Sequence, residues 1–350
     1  MSTARPLPRT PEQIDADWLS DALGARARRV ELLDAHSGTT GRALLRVEWE
    51  PGASRPERLF AKLPPTDATQ RQMSAETDMG RREARFYADL AAEVPVRVPA
   101  PLWSGWGDDP LEYLMLLEDL AGSGCHFPHG NEPAHADYLR ALMGELAGMH
   151  ARYWEWERHA DAHPWVEAYS RSEWGLVLVK SALEQFRDAQ PPEFAAIAGL
   201  YIERRDAFND FLDAGPHTLV HGDCHLGNLF ADGPRPGFLD WACTAHAPGM
   251  RDVAYHLCNS VPTELRRREE RDLLERYRAG LEAAGVPQPS FEETWRDYRR
   301  MALTSWIAAV TTAAAGSRMQ SVEVGLRAMQ RSGDAVRDLD SLGLLREALG

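Results

Sequence analysis

Basic charge is scarce in this chain relative to acid: 39 Lys and Arg stand against 53 Asp and Glu, a formal net charge of −14 over 350 residues. A nucleic-acid groove needs a clustered basic face to neutralise phosphates, so nucleic acid is not an expected partner. The arginines present are interleaved with acids, as in RRREERDLLERYR at 266–278, the pattern of a solvated helix face. Cysteine is also scarce. Cys125, Cys224, Cys243 and Cys258 form no C-x-x-C pair and no framework spacing, which excludes a disulfide scaffold and points to a reducing compartment. Long apolar runs are missing as well. The opening MSTARPLPRTP has no apolar core of a secretory signal, and the weakly apolar stretch from Trp306 to Gly316 is too short and Thr-rich to span a bilayer. No internal repeat or low-complexity segment is evident. A soluble cytoplasmic protein without a membrane partner is expected. With 44% hydrophobic and 26% charged residues, it can bury a sizeable core as one large or two modest domains.

The residues that carry chemistry are concentrated in HTLVHGDCHLGNLFADGPRPGFLDW, 217–241. Leu219-Val220 leads into His221-Gly222-Asp223, Asn228 follows five positions after Asp223, and a Gly/Pro turn precedes a short strand, Phe238-Leu239, that ends on Asp240. The spacing suits phosphoryl transfer, in which a carboxylate orients the acceptor hydroxyl and oxygen ligands hold the magnesium that bridges the nucleotide phosphates. Asp223 fits the first role. Asn228 and Asp240 fit the second, since an amide oxygen and a carboxylate from opposite sides of a hairpin can share a hard cation. The same stretch, with the residues that follow it, offers a zinc reading through His221, Cys224 and His225 and then Cys243, His246, His256 and Cys258. Gly222 and Gly227 spoil a helical ligand face, and zinc gives no reason for Asn228 or for an acid closing an apolar strand. A zinc-dependent hydrolase and a noncatalytic kinase-like nucleotide-binding protein remain as alternatives.

HGDCHLGN followed by FLDW resembles the aminoglycoside phosphotransferase and choline kinase-like superfamily, small-molecule relatives of the protein kinases, and within it most closely the ecdysteroid-kinase-like branch. FAKLPP at 60–65, EARFY at 83–87, LMLLEDL at 114–120, LAGMHARYW at 146–154 and GMRDVAYHL at 249–257 support the resemblance in order. It implies an α+β, bilobal protein-kinase-like fold with a small antiparallel-sheet N-lobe, 1–118, and a larger helical C-lobe, 119–350, joined by a hinge at about 117–122. It also implies ATP and Mg²⁺ as cofactors and a small-molecule hydroxyl acceptor as partner.

Along the chain, PEQIDADWLSDALG at 11–24 reads as a helix stopped by Gly24. Strands follow at 30–33, 43–50 and 58–63, an antiparallel meander. The tip SGTTGR, containing Gly38, Thr39, Thr40 and Gly41, would let backbone N–H groups approach a phosphate, although it lacks the three-glycine spacing of protein kinases. Alternation in LFAKL puts Phe60 and Lys62 on one face, where a lysine needs a partner, because an unpaired buried ion costs several kcal/mol. A helix over 74–93 aligns Glu76, Met79, Glu83, Phe86 and Leu90 on one stripe. Glu83 is the expected counter-ion. Glu76, near the helix start, is the fallback. The resemblance implies the same pairing, with Lys62 reaching the nucleotide's α/β-phosphates.

Two more extended pieces, 102–103 and 113–117, complete the sheet. The backbone from Glu118 to Leu120 would then present the N–H and C=O pair an adenine edge needs, while Asp119 either caps the turn or touches ligand. The second lobe opens with Asn131-Glu132-Pro133 and a core helix in which His150 packs. Trp154, Trp156, Trp165 and Trp174, with acids between them, read mainly as core, with at least one reaching the acceptor. Helices are expected at 176–190, 193–213 and through 263–350. His221 braces its loop, and His225 lies nearer the acceptor. By resemblance Asp252 braces the loop from below. The acceptor is open among steroid-like alcohols, amino sugars and choline-like alcohols.

Overall fold

A computed structural model describes residues 5–132, 135–169, 171, 173–316 and 321–350. The chain divides into two compact units. The first holds residues 1–126, 230–233 and 237–243, and the second holds the rest.

In the first unit, β1 (Ala27–Ser37), β2 (Gly41–Trp49), β3 (Arg58–Leu63), β4 (Pro101–Trp106) and β5 (Tyr113–Glu118) form an antiparallel sheet of order β1-β2-β3-β5-β4. One face packs on α1 (Ala16–Leu23), so that Trp18, Leu19 and Leu23 meet Ala43, Leu45, Leu59, Ala61, Leu63 and Leu116. The period of two is visible in β2, where Gly41, Ala43, Leu45 and Val47 are buried and the residues between them are not. The helix expected at 11–24 is split. Pro11–Gln13 form a single 3-10 turn, and the α-helix begins after Asp15, whose carboxylate accepts the Trp18 N–H. Gly24, at φ +62°, ends it as expected.

The helix expected over 74–93 is corrected more strongly. It consists of α2 (Ala68–Thr77), α3 (Met79–Arg85) and a π-helical turn, Phe86–Leu90, with Asp78 left-handed at φ +53° between the helices. Asp tolerates that conformation better than most residues. Its carboxylate accepts from Arg81 Nε at 2.5 Å. Packing requires Gly80 just beyond, because a Cβ there would lie 2.1 Å from the Tyr113 ring. Glu76 therefore sits on a different helix from Glu83, and its carboxylate accepts from Gln72 Nε2 at 2.9 Å.

In the second unit α4 (His135–Arg152) buries Leu139, Leu142, Met143, Leu146 and Met149, and it packs on the long helix α9 (Thr263–Ala283). Pro133, part of the expected cap, lies outside the described residues. Between them in sequence run α5 (Glu173–Phe186), α6 (Pro192–Glu203), α7 (Arg205–Asp213), the short strand β6 (Thr218–Val220), β9 (Ala245–Ala247) and α8 (Met250–Tyr255), while most of the hairpin of β7 (Leu229–Asp232) and β8 (Arg235–Phe238), which falls between β6 and β9 in sequence, is counted with the first unit. The helix expected over 193–213 is interrupted at Arg204. The chain ends in α10 (Phe291–Ala315), α11 (Val322–Asp338) and α12 (Ser341–Leu349), the helical third that the charge pattern indicates. Arg266 departs from the solvated-face expectation. It is buried, with the Glu270 carboxylate at 2.6 Å and Asp338 as a second partner, and Glu270 in turn accepts from Tyr298 Oη at 3.0 Å. Among the described residues no helix is long and apolar enough to cross a membrane.

Candidate active site

The first unit holds a charged cluster around Lys62, one of two lysines in the chain. Sheet alternation turns Lys62 away from the α1 face, and α3 brings Glu83 against it, so that Lys62 Nζ lies 2.5 Å from Glu83 Oε2 and 3.1 Å from Asp240 Oδ1. Glu83 is fully buried and Lys62 is 4% exposed. Burial pushes the Glu83 carboxyl up to about 7, the Lys62 ammonium opposes that rise, and the Asp240 charge adds to it. Asp240 is itself left-handed at φ +63°. Next to it, Trp241 is completely buried, stacks on Phe86 at 4.0 Å, and donates its indole N–H to the Phe238 carbonyl at 3.2 Å. On the far side of Asp240, Arg42 Nη2 lies 3.5 Å from Oδ2. Arg42 and Lys62 are direct cross-strand partners.

The glycine-containing tip has structural reasons as well as the functional one. A Cβ on Gly41 would lie 2.7 Å from the Pro64 carbonyl oxygen, so packing alone requires glycine there. The Gly38 N–H donates to the Thr40 carbonyl at 3.1 Å, Thr39 is half-buried, and Thr40 is buried. At the expected hinge the Glu118 N–H donates to the Ala100 carbonyl, and the Leu120 carbonyl accepts from the Cys125 N–H, both at 3.0 Å. The Glu118 side chain accepts from Arg97 at 2.8 Å. The Asp119 carboxylate accepts from Arg58 Nε at 2.5 Å and is nearly buried.

The second unit holds the loop after β6. Asp252 on α8 is fully buried and accepts the backbone N–H groups of His221 (2.7 Å) and Gly222 (2.9 Å), with His150 Nε2 at 3.4 Å. Burial alone would raise its pKa, but the His150 hydrogen bond, the imidazoles of His150 and His221 and the Gly222 N–H together hold it below the usual range. His221 Nδ1 accepts the Asp223 N–H at 3.2 Å, and Gly222 supplies the φ of +81° that the turn needs.

Asp223, so presented, is gripped at both oxygens. Tyr255 Oη donates to Oδ1 at 2.8 Å, and Asn228 Nδ2 donates to Oδ2 at 2.9 Å and to the Asp223 carbonyl at 3.0 Å. Two acceptors on one side of the amide fix its orientation and turn the Asn228 oxygen the other way. His225 Nδ1 accepts the Gly227 N–H at 3.0 Å, which leaves Nε2 as the protonated nitrogen, 3.6 Å from Asp223 Oδ2. Sequence reasoning did not single out Tyr255 or Arg42. Tyr255 follows the noted Asp252 by one helical turn, and Arg42 follows from the β2–β3 register once the 50–57 turn is fixed.

The zinc set does not assemble. Among the described residues no group of three His, Cys, Asp or Glu side chains is arranged to hold a metal ion. His256 donates from Nδ1 to the Cys224 carbonyl at 2.9 Å, and burial drives its pKa down to about 3. Cys258 faces Tyr298 Oη at 3.4 Å, and burial drives its thiol up to about 12. His246 pairs with His217. Of the tryptophans, Trp156 is core and stacks on His246 at 5.8 Å, Trp154 and Trp165 are half-buried, and Trp174 is 45% exposed. His150 is a buried packing residue, and its Nδ1 lies 2.8 Å from Tyr277 Oη.

A small antiparallel sheet carrying a lysine–glutamate pair and a helical unit carrying an aspartate on a His-Gly-Asp turn are the features of a phosphotransferase of the protein-kinase-like class. The chain belongs to the phosphotransferase enzyme family APH, whose family model matches residues 24–303. No curated protein matches it in sequence. Among solved structures it is similar to choline kinase from Cryptosporidium parvum (TM-score 0.56, 10% identity, covering 90% of this chain and 91% of that one). It is also similar to choline kinase LicA from Streptococcus pneumoniae (0.54, 13%, covering 93% and 99%). A third similar structure is the GDP and kanamycin complex of APH(2")-IIIa (0.52, 14%, covering 95% and 96%). These likenesses establish the fold.

Proposed function

We propose that the protein transfers the γ-phosphate of ATP, with Mg²⁺, to a hydroxyl group of a small molecule. The observation that carries this reading is the grip on Asp223: with the Asn228 nitrogen committed to the aspartate, the amide oxygen is left to serve a cation. Asn228 and Asp240 offer the hard oxygen donors that suit Mg²⁺, and the cation pair beside Asp240 suits the phosphates the metal accompanies. In this reading Asp223 accepts or orients the hydroxyl proton, Asn228 and Asp240 hold the metal, Lys62 grips the α/β-phosphates and Glu83 positions Lys62. The bound metal would neutralise phosphate charge. Gly38, Thr39, Thr40 and Gly41 form the phosphate-side tip, and Glu118 and Leu120 the adenine edge, within an N-lobe of 1–118 and a C-lobe of 119–350. The wording of HGDCHLGN supports the ecdysteroid-kinase-like branch, and steroid-like alcohols, amino sugars and choline-like alcohols are the acceptors to try.

The test is Mg·ATP-dependent ADP release over a panel of sterols, aminoglycosides, macrolides and amino alcohols, with calorimetric Mg·ATP titrations alongside. Asp223→Asn is expected to abolish acceptor-dependent release and leave nucleotide affinity nearly intact. Asp240→Ala is expected to weaken Mg·ATP binding itself. An Asp223→Asn protein that loses nucleotide affinity and keeps its rate would refute the assignment.

A further inference from the structure

Paired residues in an antiparallel sheet project to the same face, and here the pairing sets three basic residues abreast: His36 of β1 opposite Arg42 of β2, and Arg42 opposite Lys62 of β3. Like charges directly opposite one another weaken a sheet unless an anion sits among them. Asp240 is that anion, with Lys62 at 3.1 Å on one carboxylate oxygen and Arg42 at 3.5 Å on the other. Glu83 is the second acid of the cluster and is paired with Lys62. With both acids ionised, the charges of Arg42, Lys62, Glu83 and Asp240 cancel. Once Asp240 is committed to a divalent cation, the two basic side chains are left with Glu83 alone, and the face carries surplus positive charge.

We propose that Arg42 is a second phosphate-binding cation, placed beside Lys62 by strand register and neutralised by Asp240 until Mg·nucleotide binds. This rests on the reading of Lys62 and Asp240 as the nucleotide site. An ion pair between Arg42 and Asp240 would by itself contribute little, since the Arg42 side chain is 42% exposed. A planar guanidinium offers a fork of donors to phosphate oxygens that a lone ammonium does not. That fork would compensate for a phosphate tip with only two glycines, one of which packing already demands.

The experiment is calorimetric titration of wild type, Arg42→Gln, Arg42→Lys and Lys62→Met with AMP, ADP and ATP in the presence of Mg²⁺; thermal unfolding checks the fold of each variant. Arg42→Gln is expected to weaken ATP about tenfold, ADP less, and AMP within about twofold, since a charge-assisted hydrogen bond is partly discounted by exposure. Arg42→Lys should recover part of the loss. Equal losses for all three nucleotides, or none for any, would overturn the proposal. If Lys62→Met abolishes ATP binding while Arg42→Gln leaves it unchanged, the inference about Arg42 falls and the functional reading stands. If wild type binds no Mg·ATP, both fall.

Discussion

Glu83→Gln separates what the buried ion pair does for stability from what it does for function. The carboxyl at position 83 is fully buried and raised from its ordinary 4.5 to about 7, because desolvation outweighs the attraction of Lys62. The native state therefore holds a proton that the unfolded chain has already released between pH 4.5 and 7. Stability falls as pH rises through that window. At about 1.4 kcal/mol per pKa unit, an upward shift of this kind makes ionised Glu83 cost the native state on the order of 1 kcal/mol or more by pH 8. Glutamine matches the protonated acid in size and charge and does not titrate. With Asp240, 3.1 Å away, still pairing Lys62, the expected result is a variant about as stable as wild type at pH 5 and more stable at pH 8 by on the order of 1 kcal/mol. The assay is urea unfolding in a metal chelator at both pH values, with the urea dependence compared to verify that the unfolding transition is the same. The variant should also bind Mg·ATP more weakly, since an amide does not fix the ammonium as a carboxylate does. Parallel stability curves for the two proteins from pH 5 to 8, or a variant less stable at pH 8, would refute the reasoning.

Tyr255→Phe removes the hydroxyl that donates to Asp223 Oδ1 at 2.8 Å and leaves the helix otherwise intact. Turnover should drop about fivefold, from loss of about 1 kcal/mol of positioning, with Mg·ATP affinity unchanged; equal turnover in steady-state kinetics would show that Asn228 alone suffices. Gly237→Ala should destabilise the protein by about 1–3 kcal/mol, because the new Cβ would lie 2.3 Å from the buried Phe230 ring, which must shift to admit it. Gly144→Ala, on the exposed side of α4 with nothing within 4 Å, is the control and should gain about 0.5–1 kcal/mol in a thermal or urea melt.

What was legible in the sequence follows from which physical signals are local. The β3 boundaries, Arg58–Leu63, and the pairing of Lys62 with Glu83 come from two short periodicities that the structure keeps. The helix over 74–93 was drawn through Asp78 because neither glycine nor proline marks the break. A left-handed aspartate gives no such signal, and the reason it is tolerated lies in Arg81 and in the fit of Gly80 against Tyr113. Arg266 looks solvated in a run of alternating charges, and its burial is set by Asp338, 72 residues away. Asp119 was left open between a cap and a ligand because its partner, Arg58, lies 61 residues earlier in the chain. Tyr255 was passed over for the same reason: nothing near it in sequence identifies Asp223, 32 residues upstream, as its partner.

Both acids of the proposed chemistry sit on strained or tight backbone, and in both the neighbours supply the stability while the acid stays accessible. Asp240 is left-handed, a conformation that costs a non-glycine residue about 1 kcal/mol or more. Trp241 and Phe238, fully buried on either side in FLDW, hold it there. Asp223 follows Gly222 at φ +81°, and the loop is fastened from behind by the Asp252 carboxylate on the His221 and Gly222 N–H groups. The residues that hold these turns are buried and bonded to the protein itself, so the backbone that presents both carboxylates is fixed by packing and hydrogen bonds within the chain. In the proposed reaction, preorganisation of this kind would spare the cost of ordering the acids at the moment of transfer. It also explains why each motif reads as an alternation: a residue that packs or braces is followed within one or two positions by one that faces the chemistry.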